Sequence, residues 1–162
     1  MSGTNILKQA DIFYEFTSAQ LELVSSISSE QTYGEGDVIF EENSPGNELY
    51  VISAGEVEIQ VDPSVVGKEG GGAQTIATLR RGQSFGEVSL VDEGLRSARA
   101  RCSQADTQLL IIPRERLMLM CDNYPQLGYK LMRNLAADLA MKIRNTDLQV
   151  REYLTWMHRE RK

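Results

Sequence analysis

One segment gathers the residues most able to do chemistry: Phe85-Gly86-Glu87-Val88-Ser89-Leu90, then a short stretch, then Arg96-Ser97-Ala98. A turn that runs into a short helix at Gly86 to Leu90 presents unpaired backbone N–H groups and the positive end of the peptide dipoles, which suits an anion. Gly86 allows close approach. Arg96 adds a planar, permanently charged fork that grips phosphate oxygens in pairs, and Ser97 adds a hydroxyl. Glu87 repels phosphate, so it serves either as an acceptor for neutral hydroxyls, as on a ribose, or as the partner that holds Arg96. A phosphate site beside a hydroxyl site fits a nucleotide. The plainer alternative is a surface ion pair beside a hairpin, which would contribute little and would not need the glycine and small residues around it.

The two halves of this segment resemble the phosphate-binding cassette of the cyclic nucleotide-binding domains, the family shared by bacterial catabolite activators and the regulatory subunits of cyclic AMP-dependent kinases. The family pattern is Phe-Gly-Glu-aliphatic-small-Leu followed by Arg-Ser/Ala-Ala, and both parts stand intact here. The resemblance implies that Glu87 binds the ribose 2′-hydroxyl and that Arg96 and Ser97 bind the cyclic phosphate. Backbone groups of Gly86, Ser89 and Ala98 would complete a binding segment that also contains Val88 and Leu90. The implied ligand is cyclic AMP, with cyclic GMP as the alternative, and no other cofactor is expected.

The elements that must position this segment follow from periodicity. Thr17 and Gln20 are spaced as a capping box ahead of Leu21, Leu23, Val24 and Ile27, so residues 1–30 should be an N-terminal helical segment. Short β-rich runs at Val38 to Phe40, Leu49 to Ile52, Val57 to Val61 and Thr75 to Leu79 alternate with glycine- and proline-marked turns. With strands at 98–103 and 107–112 and Asp106 in the turn between them, residues 31–112 read as a jelly-roll β-barrel, giving a mainly β fold with flanking helices. Arg99 and Arg101 alternate with small residues and are expected on the solvated face. Residues 65–72, rich in glycine, read as a hairpin loop.

Residues 113–162 read as helical, with a short helix from Arg114 to Asp122 and a long one beginning at Pro125, a residue suited to a first helical position. Leu127, Leu131 and Leu135 form a stripe expected to pack on the β-core. A heptad seam pairs Ala136, Ile143, Val150 and Met157 with Met132, Leu139, Thr146 and Tyr153. β-Branched residues at its a-type positions favour a parallel two-stranded coiled coil, so a homodimer through helix 125–158 is expected. Thr146 is the polar residue in the middle of the seam. It either bonds its own helix backbone or, as the resemblance implies, contacts the base of the nucleotide. The next residue is Asp147, where the catabolite activator type has a serine, which leaves the choice of base open.

Composition narrows the function classes. With 162 residues, a net charge of -6, 41% hydrophobic and 25% charged residues, the chain is an ordinary globular domain with no broad attraction for DNA or anionic membrane. No membrane-length apolar run or signal sequence is visible, so a cytoplasmic protein is expected. Cys102 and Cys121 read as small apolar residues rather than a disulfide. The single histidine, His158, argues against the metal-dependent enzymes and haem sensors that share similar β-folds, and no nucleophile is paired with a base; no enzyme is expected. The helix-turn-helix that follows the long helix in catabolite activators has no counterpart before Lys162. A sensor acting through an unknown effector is therefore expected, standing alone or as one domain of a longer protein, with movement of the long helix as its output. The rival is a dimeric adapter of the same fold that binds no nucleotide.

Overall fold

A computed structural model describes residues 3–62, 72–92 and 94–161; of the loop expected at 65–72, all but Gly72 lies outside them. Helix α1 (Gly3–Gln9), a 3-10 turn (Asp11–Phe13) and helix α2 (Ser18–Ile27) precede the β-region. Its strands are β1 (Ser29–Tyr33), β2 (Val38–Phe40), β3 (Glu48–Ala54), β4 (Glu56–Val61), β5 (Gln74–Arg80), β6 (Ser84–Phe85), β7 (Arg99–Cys102) and β8 (Thr107–Pro113). Helices α3 (Arg114–Asn123) and α4 (Pro125–Glu160) follow. The strands form two antiparallel four-stranded sheets in the orders β1-β8-β3-β6 and β2-β7-β4-β5. This is a jelly-roll-like β-roll with N-terminal helices and a long C-terminal helix.

The apolar runs of β3 and β8 are continuous because both faces of those strands are covered. Tyr50, Ile52, Leu109 and Ile111 point between the sheets, where they join Val57, Phe85, Ala100 and Cys102. The alternate residues Leu49, Val51, Leu110 and Ile112 face the other way and pack with the helices. Leu127, Leu131 and Leu135 of α4 lie in this outer cluster together with Ile6, Leu7, Ile12, Phe13, Leu21 and Val24. The α4 stripe thus reaches the sheet through a layer it shares with the N-terminal helices. Cys102 is buried and Cys121 half-buried, both as free thiols, and burial pushes the Cys102 thiol up to about 11.

The capping box forms as the spacing indicates: the Thr17 hydroxyl accepts from the Gln20 amide, and the Thr17 amide donates to the Gln20 side chain. Thr17→Ala should cost about 1 kcal/mol, seen as a melting temperature lower by about 2–4 °C for a chain of this size. An unchanged thermal melt would show that tertiary packing alone holds α2.

Helix α1 falls within the N-terminal helical segment expected at residues 1–30, although no period marks it as a separate helix. Ile6 and Leu7 supply one apolar turn, too short for a period to be read, yet both are buried. Asn134 of α4 fixes the neighbouring 3-10 turn, donating to the carbonyls of Ile12 at 3.0 Å and Tyr14 at 2.8 Å. Lys130 donates to the Glu15 carbonyl, and Arg133 pairs with the Glu15 side chain. The first half of α4 is therefore fastened to the body by apolar and polar contacts. Its second half, beyond Leu139, runs exposed almost to its end.

Candidate ligand-binding site

Strand β6 delivers the cassette. Phe85 pairs with Tyr50 across the β3–β6 ladder and its ring stacks on that of Tyr50 at 4.9 Å. Gly86 then takes φ 81, a left-handed conformation that side chains disfavour, and a 3-10 helix runs from Glu87 to Leu90. A Cβ on Gly86 would also lie 2.7 Å from Arg96 Nη1 and 3.1 Å from the Glu48 carbonyl oxygen. Glycine is thus required twice over, by conformation and by space. The Ser89 hydroxyl donates to the Gly86 carbonyl at 2.7 Å and closes the turn.

Arg96 arrives from the opposite side. Its amide donates to the Ser44 carbonyl and its carbonyl accepts from the Asn43 amide, both at 2.7 Å. These bonds tie the second half of the cassette to the turn before β3. Arg96 is only 7% exposed. Nη2 donates to the Glu48 carbonyl at 2.9 Å, Nη1 to the Ser89 hydroxyl at 3.2 Å, and the group lies 4.2 Å from the centroid of the Phe40 ring. Burial lowers its pKa, but a guanidinium remains charged. Tyr50, which also flanks it, is kept a neutral phenol because burial and a hydrogen bond to Glu48 raise its pKa.

Glu87 is 4% exposed, so the pair is no surface feature. Of the two roles open to Glu87, holding Arg96 is not the one seen: Arg96 is held by carbonyls and Ser89, while Glu87 Oε1 pairs with Lys142 of α4. Lys142 also lies 3.0 Å from Asp138, one turn earlier. Among buried side chains, Glu87 Oε2 and Arg96 Nε are left without a hydrogen-bond partner. Both residues line a cavity of 810 Å³ that also takes in Ile59, Leu79, Gly86, Val88, Ser89, Ser97, Ala98, Asp138 and Lys142. Strand side chains and the cassette line most of it, with contributions from Gln9, Asp11 and Ile12 near the N-terminus and from Asp138 and Lys142 of α4. An unpaired buried acceptor and an unpaired buried cationic donor beside one cavity are what a ligand carrying both hydroxyl and anionic oxygens would satisfy.

The other expected site residues are placed as follows. Gly86, Val88, Ser89, Ser97 and Ala98 line the cavity, whereas the Leu90 side chain is fully buried in the helix-facing cluster and anchors the cassette. Thr146 is exposed, and its hydroxyl donates to the Lys142 carbonyl at 2.9 Å. The α4 residues that reach the cavity are Lys142 and Asp138, one and two turns before Thr146. Sequence reasoning missed both, along with Phe40 under Arg96. Residues four apart share a helix face, so periodicity names the face but not the turn that meets the cassette. Arg99 is engaged by the Gln60 side chain at 2.6 Å and Arg101 lies 3.8 Å from Glu58; neither lines the cavity. Among the described residues no cluster of three or more His, Cys, Asp or Glu could hold a metal ion.

Comparison with known proteins agrees with this geometry. The profile of the cyclic nucleotide-binding domain matches residues 30–124, which span β1 to the start of the α3–α4 junction. The chain belongs to the cyclic nucleotide-binding domain family. It is 33% identical over 144 residues to the cyclic AMP receptor protein of Thermus thermophilus, covering 89% of this chain and 62% of that protein. It is 28% identical over 111 residues to human cGMP-dependent protein kinase 2, covering 68% of this chain and 14% of that one. The chain thus spans less than two thirds of these relatives. Among solved structures, the Thermus thermophilus catabolite activator protein superposes with a TM-score of 0.74 over 86% of this chain and 61% of that one. A cyclic nucleotide-binding domain from Methylobacillus flagellatus gives 0.75 at 26% identity, over 91% of this chain and 79% of that one. No helix among the described residues is long and apolar enough to cross a membrane.

Proposed function

We propose that this cyclic nucleotide-binding domain is a working sensor of cyclic AMP that signals through α4 to an effector protein. The observation that carries the proposal is the pair of buried, unpartnered polar atoms, Glu87 Oε2 and Arg96 Nε, on residues lining one cavity. The ribose 2′-hydroxyl would satisfy the first and the cyclic phosphate the second, with the base lying toward α4. Its likeness to a cyclic AMP receptor protein along 89% of this chain favours adenine over guanine.

Signalling would use the contrast within α4. The half up to Leu135 is fastened to the body, while the half that begins near Lys142 meets the cassette at Glu87 and is otherwise exposed. A ligand bound differently in two positions of that second half shifts their populations by the difference in affinity, and no other energy source is needed. The seam residues Ile143, Val150 and Tyr153 are 63%, 50% and 58% exposed, an apolar stripe that a second copy of the chain would cover as a parallel coiled coil. The helix that senses the ligand would then also be the one that pairs the subunits.

Calorimetric titration with cyclic AMP and cyclic GMP tests the ligand. Binding of cyclic AMP with the lower Kd is expected; heat from neither nucleotide, in a protein that melts cooperatively, would replace the sensor by a ligand-free adapter.

A further inference from the structure

Glu87 raises a question that a bound nucleotide alone does not answer: what keeps a buried carboxylate ionised and aimed beside a site meant for phosphate. Removing a carboxylate from water is costly unless a cation and hydrogen bonds compensate. Arg96 does not supply them, since its Nη groups are turned onto the carbonyls of Glu48 and Gly86 and the hydroxyl of Ser89. The compensating charge comes from outside the cassette, from Lys142 on α4, which engages Oε1 alone.

We propose that Lys142 is the positioning residue of this site: it holds Glu87 by Oε1 from the long helix and leaves Oε2 for a hydroxyl of the ligand. The two oxygens are already divided in this way, one paired and one without a partner. Asp138, 3.0 Å from the same ammonium and one turn back on α4, also engages Lys142, and both residues line the cavity. Because Lys142 belongs to α4 and Glu87 to the cassette, the contact a ligand hydroxyl makes with Glu87 is made against the helix as well.

The inference rests on the proposed nucleotide ligand, and the test separates the two. Kd values for cyclic AMP and 2′-deoxy cyclic AMP are measured on the wild-type protein and on Lys142→Met. Loss of a charge-assisted hold on Glu87 should weaken cyclic AMP roughly 10-fold, while the analogue without the hydroxyl changes by less than about twofold because its contact with Glu87 is absent in either protein. An equal loss with both nucleotides, no loss, or tighter binding of cyclic AMP would overturn the role. Wild-type protein that binds neither nucleotide defeats the proposed function and the hydroxyl contact with it. The tether itself is judged without ligand, by urea denaturation of Glu87→Gln, Lys142→Met and the double variant: non-additive losses uphold it, additive ones overturn it.

Discussion

Arg96→Ala should abolish tight binding of cyclic AMP while leaving a folded protein. Truncating one side of a buried, hydrogen-bonded charge pair typically costs about 2–5 kcal/mol, equivalent to roughly 30- to 5,000-fold in Kd. The variant removes a cavity-lining cation whose Nε lacks a hydrogen-bond partner, and it leaves the Glu48 carbonyl and Ser89 hydroxyl to water that can enter the emptied space. Arg96→Lys is the sharper comparison. A lysine keeps the charge but loses the planar fork that spans Phe40, Ser89 and Glu48 at once, so its affinity should fall between wild type and alanine. Calorimetry on the three proteins, with circular dichroism as the fold control, decides the matter. Arg96→Ala that binds as tightly as wild type would move the phosphate away from the cassette and sink the proposed geometry.

The cassette is legible in the sequence because its chemistry is local. Phe85, Gly86, Glu87, Arg96 and Ser97 lie within one short segment, where a left-handed glycine leads into a helical turn. The strands were equally legible wherever a run was long enough to show its period or its burial on both faces, as in β3 and β8. What escaped was short or relational. Strand β6 has two residues and β1 is mostly exposed polar residues, so neither carries a pattern of its own; each exists because β3 or β8 offers an edge to pair with. Helix α1 is held by Ile6 and Leu7 against the body rather than by its own propensity. Lys142 belongs to the same class: nothing in its flanking sequence marks it, and its role depends on how far along α4 the cassette happens to meet the helix.

Two leucine-sized truncations on the same helix should behave in opposite ways. Leu131 is fully buried among Leu7, Ile12, Phe13 and Leu127, at the point where α4 is fastened to the body. Leu131→Ala removes that packing and leaves a cavity that the surrounding helices fill only in part, a loss of about 2–5 kcal/mol. In urea the midpoint should fall with the slope unchanged, as expected when stability changes and the surface exposed on unfolding does not. Ile143 lies three turns further on and is 63% exposed. For a single chain Ile143→Ala should stay within about 0.5 kcal/mol of wild type. If the seam pairs two copies, however, each dimer loses the side chain twice from the apolar interface, so the wild-type midpoint should rise with protein concentration and that of Ile143→Ala should rise from a lower value. Denaturation at two protein concentrations, with light scattering for the mass, reads both effects at once. A wild-type midpoint that ignores concentration, together with a monomer mass, would leave the exposed stripe to the effector rather than to a second copy. A Leu131→Ala variant as stable as wild type would mean that α4 is not held by its buried half, and the division of the helix into an anchored and a sensing part would fail.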